Sequence, residues 1–288
     1  MRRLVITADD FGAALEVNEA VEAAHCRGVL TAASLMMSAP AAQDAIARAR
    51  RMPSLRVGLH LVLVEGRPLL PAAAVSHLVD GSGMFRSDMA ALGTAICFSR
   101  TARQQLAAEI SAQFAAFRAT GLILDHCNAH KHFHIHPAIG RMLVAIGLRH
   151  GLRAARVPLE PLRVLRQIEP QTARTAMSLA APLVLLLRRR FMMAGLLTPD
   201  RVFGLRWSGK MTKERLAGLV RNTPSGLTEI YLHPATGPFV GSASGYWYRE
   251  EMDALMSDDV IAACRDSSIV CGGFGDFRSA QSESLCAY

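Results

Sequence analysis

Short apolar runs alternate with helical patterns along most of this chain, and that alternation restricts the fold more than any other feature. Residues 4–8, 30–37, 56–63, 122–127, 153–157, 228–232 and 268–271 read as strands. Between them, apolar spacing predicts helices over 16–27, 41–51, 104–119 and 137–150. Gly28 stands as the stop of the first helix, and Pro137 opens the last, where its fixed φ is tolerated. The strands are near-continuously apolar, as strands covered on both faces must be, so the expected class is α/β with a parallel sheet. A chain of 288 residues can close one large core, and single α/β barrels commonly reach this size.

Two stretches depart from the pattern. Residues 64–100 hold "EGRPLLP" and "DGSGMF", a loop-rich excursion. Residues 161–211 mix apolar blocks with Arg163, Arg166, Arg174 and the triple Arg188, Arg189, Arg190, and are read as a helical insertion. No Gly/Ser- or Pro-rich linker separates them, so residues 1–288 are expected to form a single domain.

Charge and cysteine usage narrow the partners. The chain carries a formal charge of +8, yet only Lys131, Lys210 and Lys213 among its 32 basic residues are lysines. No basic run is interleaved with aromatics, so nucleic acid is not an expected partner; a diffusely basic face suits anionic lipid better. Six cysteines without a C-x-x-C pair read as reduced thiols of a cytoplasmic protein. The N-terminal apolar run is a strand, too short for a signal-peptide core. The longest apolar block, 179–187, is far short of the roughly 20 residues a membrane span needs.

On this frame the ionisable residues gather at strand ends. Asp9 and Asp10 follow the first strand, His60 lies near the end of the third, and His233 ends the sixth. After the fourth comes "NAHKHFHIHP", which places His130, His132, His134 and His136 at alternate positions. In a parallel α/β barrel all these positions open onto one rim. Read alone, Asp9-Asp10 could be a turn with a cap, and His60 a core histidine between leucines. Their joint placement favours a metal site. In an extended segment, alternate residues step about 6.5–7 Å, too far for several imidazoles to reach one ion, so one histidine of the run is expected to ligate. An Asp and two His from separate strands leave a coordination position for water, the pattern of a catalytic site. With a carboxylate beside it and a histidine opposite, the set suits hydrolysis of an amide or ester.

The motifs "TADDFG", "GLHL", the H-x-H-x-H run and "YLHP" resemble, in order, those of the YdjC-like (chitooligosaccharide deacetylase-type) carbohydrate deacetylases. The wording "LTAASLMM", "PSLRVGLHLVLVEGRPLLP" and "RAARVPLEP" is most similar to the hopanoid biosynthesis-associated branch. The resemblance implies an incomplete, seven-stranded TIM-like β/α barrel and one divalent metal ion, zinc or magnesium. It implies removal of acetate from an N-acetylglucosaminyl hopanoid lipid, with soluble chito-oligosaccharides as the alternative substrate. A non-catalytic sugar- or metal-binding protein is the alternative of another class. By matching motif, Asp10, His60 and His130 hold the metal; Asp10 or Asp9 is the base, and His233 the acid. Many family members carry Asp-Ser before the first histidine of the run, where this chain has Asn128-Ala129, so His132 and His134 stay as further ligand or substrate-binding candidates. Arg156 is expected to hold sugar or to orient Asp9. A peripheral contact at the inner face of the membrane, through residues 161–211, and a homodimer are the partner expectations beyond substrate.

Overall fold

A computed structural model describes residues 1–173 and 180–278 of the chain. Its strands are β1 (Arg2–Phe11), β2 (Ala32–Leu35), β3 (Arg56–Leu61), β4 (Cys127–Ala129), β5 (Arg201–Phe203), β6 (Gly226–Leu232) and β7 (Ile269–Cys271). All pair in parallel, in the order β4-β3-β2-β1-β6-β5. β6 lies along one edge of β1; the other edge is shared by β7, at Arg2–Leu4, and β2, at Thr7–Phe11. Between β4 and β5 only isolated bridges form, Cys127 with Ala155 and Ala154 with Leu197. The sheet curls into an incomplete TIM-like barrel.

Helices cover the outside: α1 (Leu15–Arg27), α2 (Ala42–Arg51), α3 (Met89–Phe98), α4 (Arg100–Ala119) and α5 (Pro137–Arg149). After them come α6 (Leu162–Ile168), α7 (Ala181–Met193), α8 (Lys213–Arg221), α9 (Tyr248–Leu255) and α10 (Asp258–Cys264). Side chains that accept orphan backbone N–H groups set several starts. Asp88 caps α3, Ser99 caps α4 and Thr212 caps α8.

Strand alternation builds the interior in layers. Leu4, Ile6 and Ala8 face outward into the main core with Val17 and Val21 of α1. The intervening residues point inward. At the lower end Val5, Ala32, Ala154, Leu197 and Leu227 form a small apolar cluster closed by Phe274 and Phe277. Two residues further along the chain from each of Val5, Ala32, Ala154 and Leu227 the interior turns polar, with Thr7, Ser34, Arg156 and Glu229, all fully buried. One more step brings Asp9 and Tyr231 to the rim. An apolar plug, a polar middle and an ionisable rim therefore follow from a period of two in the sequence.

Three expectations are corrected. Residues 153–157 do not form a strand: they meet the neighbouring chain only through single bridges, at Cys127 on one side and Leu197 on the other, and Pro158 has no donor with which to extend either ladder. The strand β5 lies instead within 161–211, where three residues carry too little periodicity to be read. Fourth-strand pairing starts at Cys127, since Ile123 of the expected run is 83% exposed. Arg174, Leu179 and Cys286 lie outside the described residues. Among the described residues no helix is long and apolar enough to cross a membrane.

Candidate active site

The two acidic residues of β1 sit at a bulge. The β1–β2 register slips between Ala8 and Phe11, and Asp10 has φ 61°. Neighbours on a regular strand face opposite sides; the left-handed residue at the bulge re-aims the second carboxylate. That conformation costs an L-residue about 1–2 kcal/mol, so packing around it must hold it in place.

Asp10 Oδ1 lies 3.2 Å from His60 Nε2 and 3.2 Å from His130 Nδ1. One ligand atom from each of the three lies within 4.8 Å of the other two. Asp10 Oδ1 is nonetheless buried without a hydrogen-bond partner. A buried acceptor left unsatisfied between two imidazole nitrogens is costly, and a divalent cation would relieve that cost. The donor set, two imidazoles and one carboxylate from three strand ends, fits such an ion with positions left open. Burial opposes ionisation of Asp10, but His130 and then His60 hold its carboxyl well below the usual range.

Asp9 is tied elsewhere. Arg156 grips it with Nη1 at 2.5 Å and Nη2 at 3.0 Å, and Asn128 Nδ2 donates to it at 3.1 Å. The same guanidinium reaches Glu229 with Nε at 3.0 Å and Nη2 at 2.7 Å, and Thr7 donates to Glu229 at 2.9 Å. Burial works to raise the Asp9 pKa, yet Arg156, followed by His60, keeps it strongly lowered. Arg156 is fully buried and stacks 4.4 Å over the Tyr231 ring. Its guanidinium is spent on Asp9 and Glu229 in the interior, the arrangement expected of a residue that orients Asp9.

The histidine run is not extended. Residues His130–Ile135 coil into a 3₁₀ turn in which Lys131 and His132 have φ of 52° and 54°. Each imidazole therefore goes its own way. His130 faces Asp10, His132 Nε2 meets Tyr231 Oη at 3.0 Å, His134 Nε2 meets the Arg156 carbonyl at 3.0 Å, and His136 accepts from Ala138 ahead of α5. His130 alone of the run joins Asp10 and His60. His134 is fully buried.

Burial lowers the His134 pKa to about 3 from an ordinary 6.5. Between those values the unfolded chain binds the proton and the folded chain does not, so stability rises with pH through that window. At pH 5 this one residue removes about 2 kcal/mol. Metal-free protein should therefore melt several degrees lower at pH 5 than at pH 7.5. Equal melting temperatures would refute the neutral, buried imidazole.

His233 closes the rim from β6, edge-on to Tyr231 at 5.6 Å and to Tyr246 at 5.3 Å between ring centroids. Its backbone N–H donates to buried Glu251 at 2.5 Å, whose pKa burial raises to about 8. Burial lowers the pKa of His233 itself, against the pull of the Asp10 and Asp9 charges. Its Nδ1 has no partner.

Ser34, Asn128, Glu229 and Tyr231 also belong to the site, and strand-end placement does not single them out. Glu229 and Tyr231 stand four and two residues before His233 on one strand. A carboxylate inside the apolar run "LTEIYLHP" is a signal for the first of them.

An α/β barrel with an aspartate and two histidines converging at its C-terminal rim is the framework of a barrel enzyme with a candidate metal centre. Residues 3–266 match the YdjC-like protein family, and the chain belongs to that family. A carbohydrate deacetylase of Geobacillus stearothermophilus is 30% identical over 265 residues, 91% of this chain and 92% of that protein. One of Brevibacillus brevis is 39% identical over 137 residues, 48% of this chain and 52% of that protein, so the chain matches about half its length. A crystal structure from Enterococcus faecalis, named for cellobiose-phosphate cleavage, superposes with a TM-score of 0.74 at 23% identity. It covers 96% of this chain and 98% of that one, and bears on the fold alone.

Proposed function

We propose that this protein is a metal-dependent deacetylase that hydrolyses the N-acetyl group of an amino sugar to free amine and acetate. Its relatives' shared name, carbohydrate deacetylase, makes the chain a hydrolase acting on N-acetyl sugars. One observation carries the mechanism. Asp10, His60 and His130 converge, while a second carboxylate, Asp9, stands beside them already ionised and held by Arg156.

Asp10, His60 and His130 would hold the ion. A divalent cation there, zinc or magnesium, supplies Lewis acidity toward the acetyl carbonyl and toward water. The remaining steps fall to side chains. Asp9 takes a proton from the attacking water as its oxygen bonds to the carbonyl carbon. Arg156 holds Asp9 in line and favours its charged form. His233, whose pKa burial lowers against the pull of the Asp10 and Asp9 charges, must itself take up a proton as negative charge builds on the attacked acyl group; as the imidazolium it delivers that proton to the nitrogen as the C–N bond breaks. A protein that only binds sugar or metal has no use for the spare carboxylate.

For the acceptor we infer a lipid-borne sugar, an N-acetylglucosaminyl hopanoid, presented at the cytoplasmic face of a membrane. The motif wording supports it, and so does α7. That helix buries Val184, Leu187 and Phe191 and exposes Leu183, Leu185, Leu186, Met192 and Met193 beside Arg189. An apolar face flanked by arginine suits the surface of an anionic bilayer. Soluble chito-oligosaccharides remain the second substrate class.

Acetate release from N-acetylglucosaminyl lipid in vesicles and from chito-oligosaccharide, before and after chelation, tests the whole reading. Activity should vanish with chelator and return with added divalent ion. Turnover that survives chelation sinks the metal; turnover of the soluble substrate alone sinks the lipid.

A further inference from the structure

A line of buried polar groups runs from the loop after β7 to the candidate metal centre. Asp125 accepts the backbone N–H groups of Phe274 at 3.1 Å and Gly275 at 2.7 Å. His126 Nδ1 lies 2.9 Å from Asp125 Oδ2, and His126 Nε2 lies 3.1 Å from Ser34 Oγ. Asn128 Nδ2 donates to Ser34 Oγ at 2.9 Å and to Asp9 Oδ1 at 3.1 Å. Asn128 Oδ1 is 2.6 Å from His60 Nδ1. All six side chains are buried.

Donor and acceptor chemistry orients every link. The Asp125 carboxylate only accepts, so His126 carries its hydrogen on Nδ1. With its hydrogen on Nδ1 the ring accepts at Nε2, and the Ser34 hydroxyl spends its one hydrogen there. Ser34 must in turn accept from Asn128, which turns the amide NH₂ toward Ser34 and Asp9 and the carbonyl oxygen toward His60. That carbonyl can only accept, so His60 carries its hydrogen on Nδ1. The lone pair of Nε2 is left facing Asp10 and His130.

Packing fixes the chain as firmly as the hydrogen bonds do. A side chain at Gly58 would place its Cβ 2.6 Å from three atoms of the His126 ring, so that ring fills the space which β3 leaves open. The Phe274 ring packs against the same imidazole, 4.9 Å between centroids. The polar middle of the barrel is thus joined to its apolar plug.

We propose that Asn128 is a positioning residue for both halves of the chemistry. One carboxamide presets the ligating tautomer of His60 and the orientation of the base Asp9, and the chain Asp125–His126–Ser34 prevents it from flipping. This rests on the metal-dependent reading above, but its test does not use activity. Long-range ¹H–¹⁵N spectra of the metal-free protein report the tautomer of each ring, and zinc titration calorimetry reports affinity.

Wild type should show the Nδ1–H form at both His60 and His126. Ser34→Ala should mix the His60 tautomers and weaken zinc about 10-fold; Asn128→Leu should weaken it about 10–100-fold. Ser34→Thr, which keeps the hydroxyl, should retain wild-type values. A hydrogen on His60 Nε2 in wild type, or wild-type zinc affinity in Ser34→Ala, overturns the proposal. Should Asn128→Leu fail to fold, the comparison of Ser34→Ala with Ser34→Thr decides it. Zinc bound as described without acetate release would reject the deacetylase reading and leave this one standing.

Discussion

His60→Ala should strip the divalent ion from the purified protein and abolish acetate release, whereas His233→Ala should keep the ion and slow turnover by about 10²–10⁴-fold. The two histidines share one rim, with β2 and β1 between the strands that carry them, yet they are held for different tasks. His60 Nδ1 faces the Asn128 carbonyl and Nε2 faces Asp10, so its ring has one free nitrogen and that nitrogen points at the cluster. Among the described residues three side chains able to ligate converge there, and losing one leaves too few for tight binding. His233 is outside that set. Its backbone is fixed by Glu251 and its ring stands between two tyrosines, so removing the ring deletes a proton donor without disturbing the ligands. Metal content by atomic absorption and acetate release, measured on both variants, separate the roles. Equal metal loss in both would make His233 a ligand, and full metal in His60→Ala would remove His60 from the centre.

Arg156→Met carries the second large expectation, this time on stability. The guanidinium sits between Asp9 and Glu229, all three buried inside the barrel. Removing a partner from a buried ionic set typically costs about 3–5 kcal/mol, because the charges left behind have neither water nor counterion. Here two carboxylates would be stranded, and a fall in melting temperature on the order of 10 °C is expected. The pH dependence has a definite sign. Without the arginine, burial is left to raise the Asp9 pKa, so that acid would keep its proton to higher pH in the folded chain than in the unfolded one and the deficit grows as pH rises. The double variant Arg156→Met, Glu229→Gln should recover part of the loss, since one of the stranded charges is gone. Melting within a degree or two of wild type at pH 7.5 would contradict the ionic core.

Much of the rim is legible in the order of residues. Asp9, Asp10, His60, His130 and His233 each follow or end an apolar run, and a parallel barrel delivers strand ends to one face. The conformation of the histidine run is not legible in that way. H-x-H-x-H has the period of a strand, but Lys131 and His132 adopt left-handed backbone, and the four imidazoles scatter to four partners. β5 has no sequence signature, because three residues among arginines and apolar blocks leave no pattern. Arg156 has the local setting of a residue at the end of a strand, and nothing nearby distinguishes an arginine bound for the interior from one bound for solvent.

Period-two alternation and strand-end placement are local properties, and the amino-acid order alone determined them: a parallel α/β barrel with an ionisable rim. Which of the interior and rim groups touch was decided only by the curling of the sheet. Asn128 meets His60 across 68 residues, Arg156 meets Asp9 across 147, and Thr7 meets Glu229 across 222. Hydrogen bonds and ion pairs act over about 3 Å, while the chain between these partners runs through whole strands and helices. Contact at that range is a property of the curled sheet, in which the Asp10 bulge turns one carboxylate toward the histidines and Arg156 takes hold of the other.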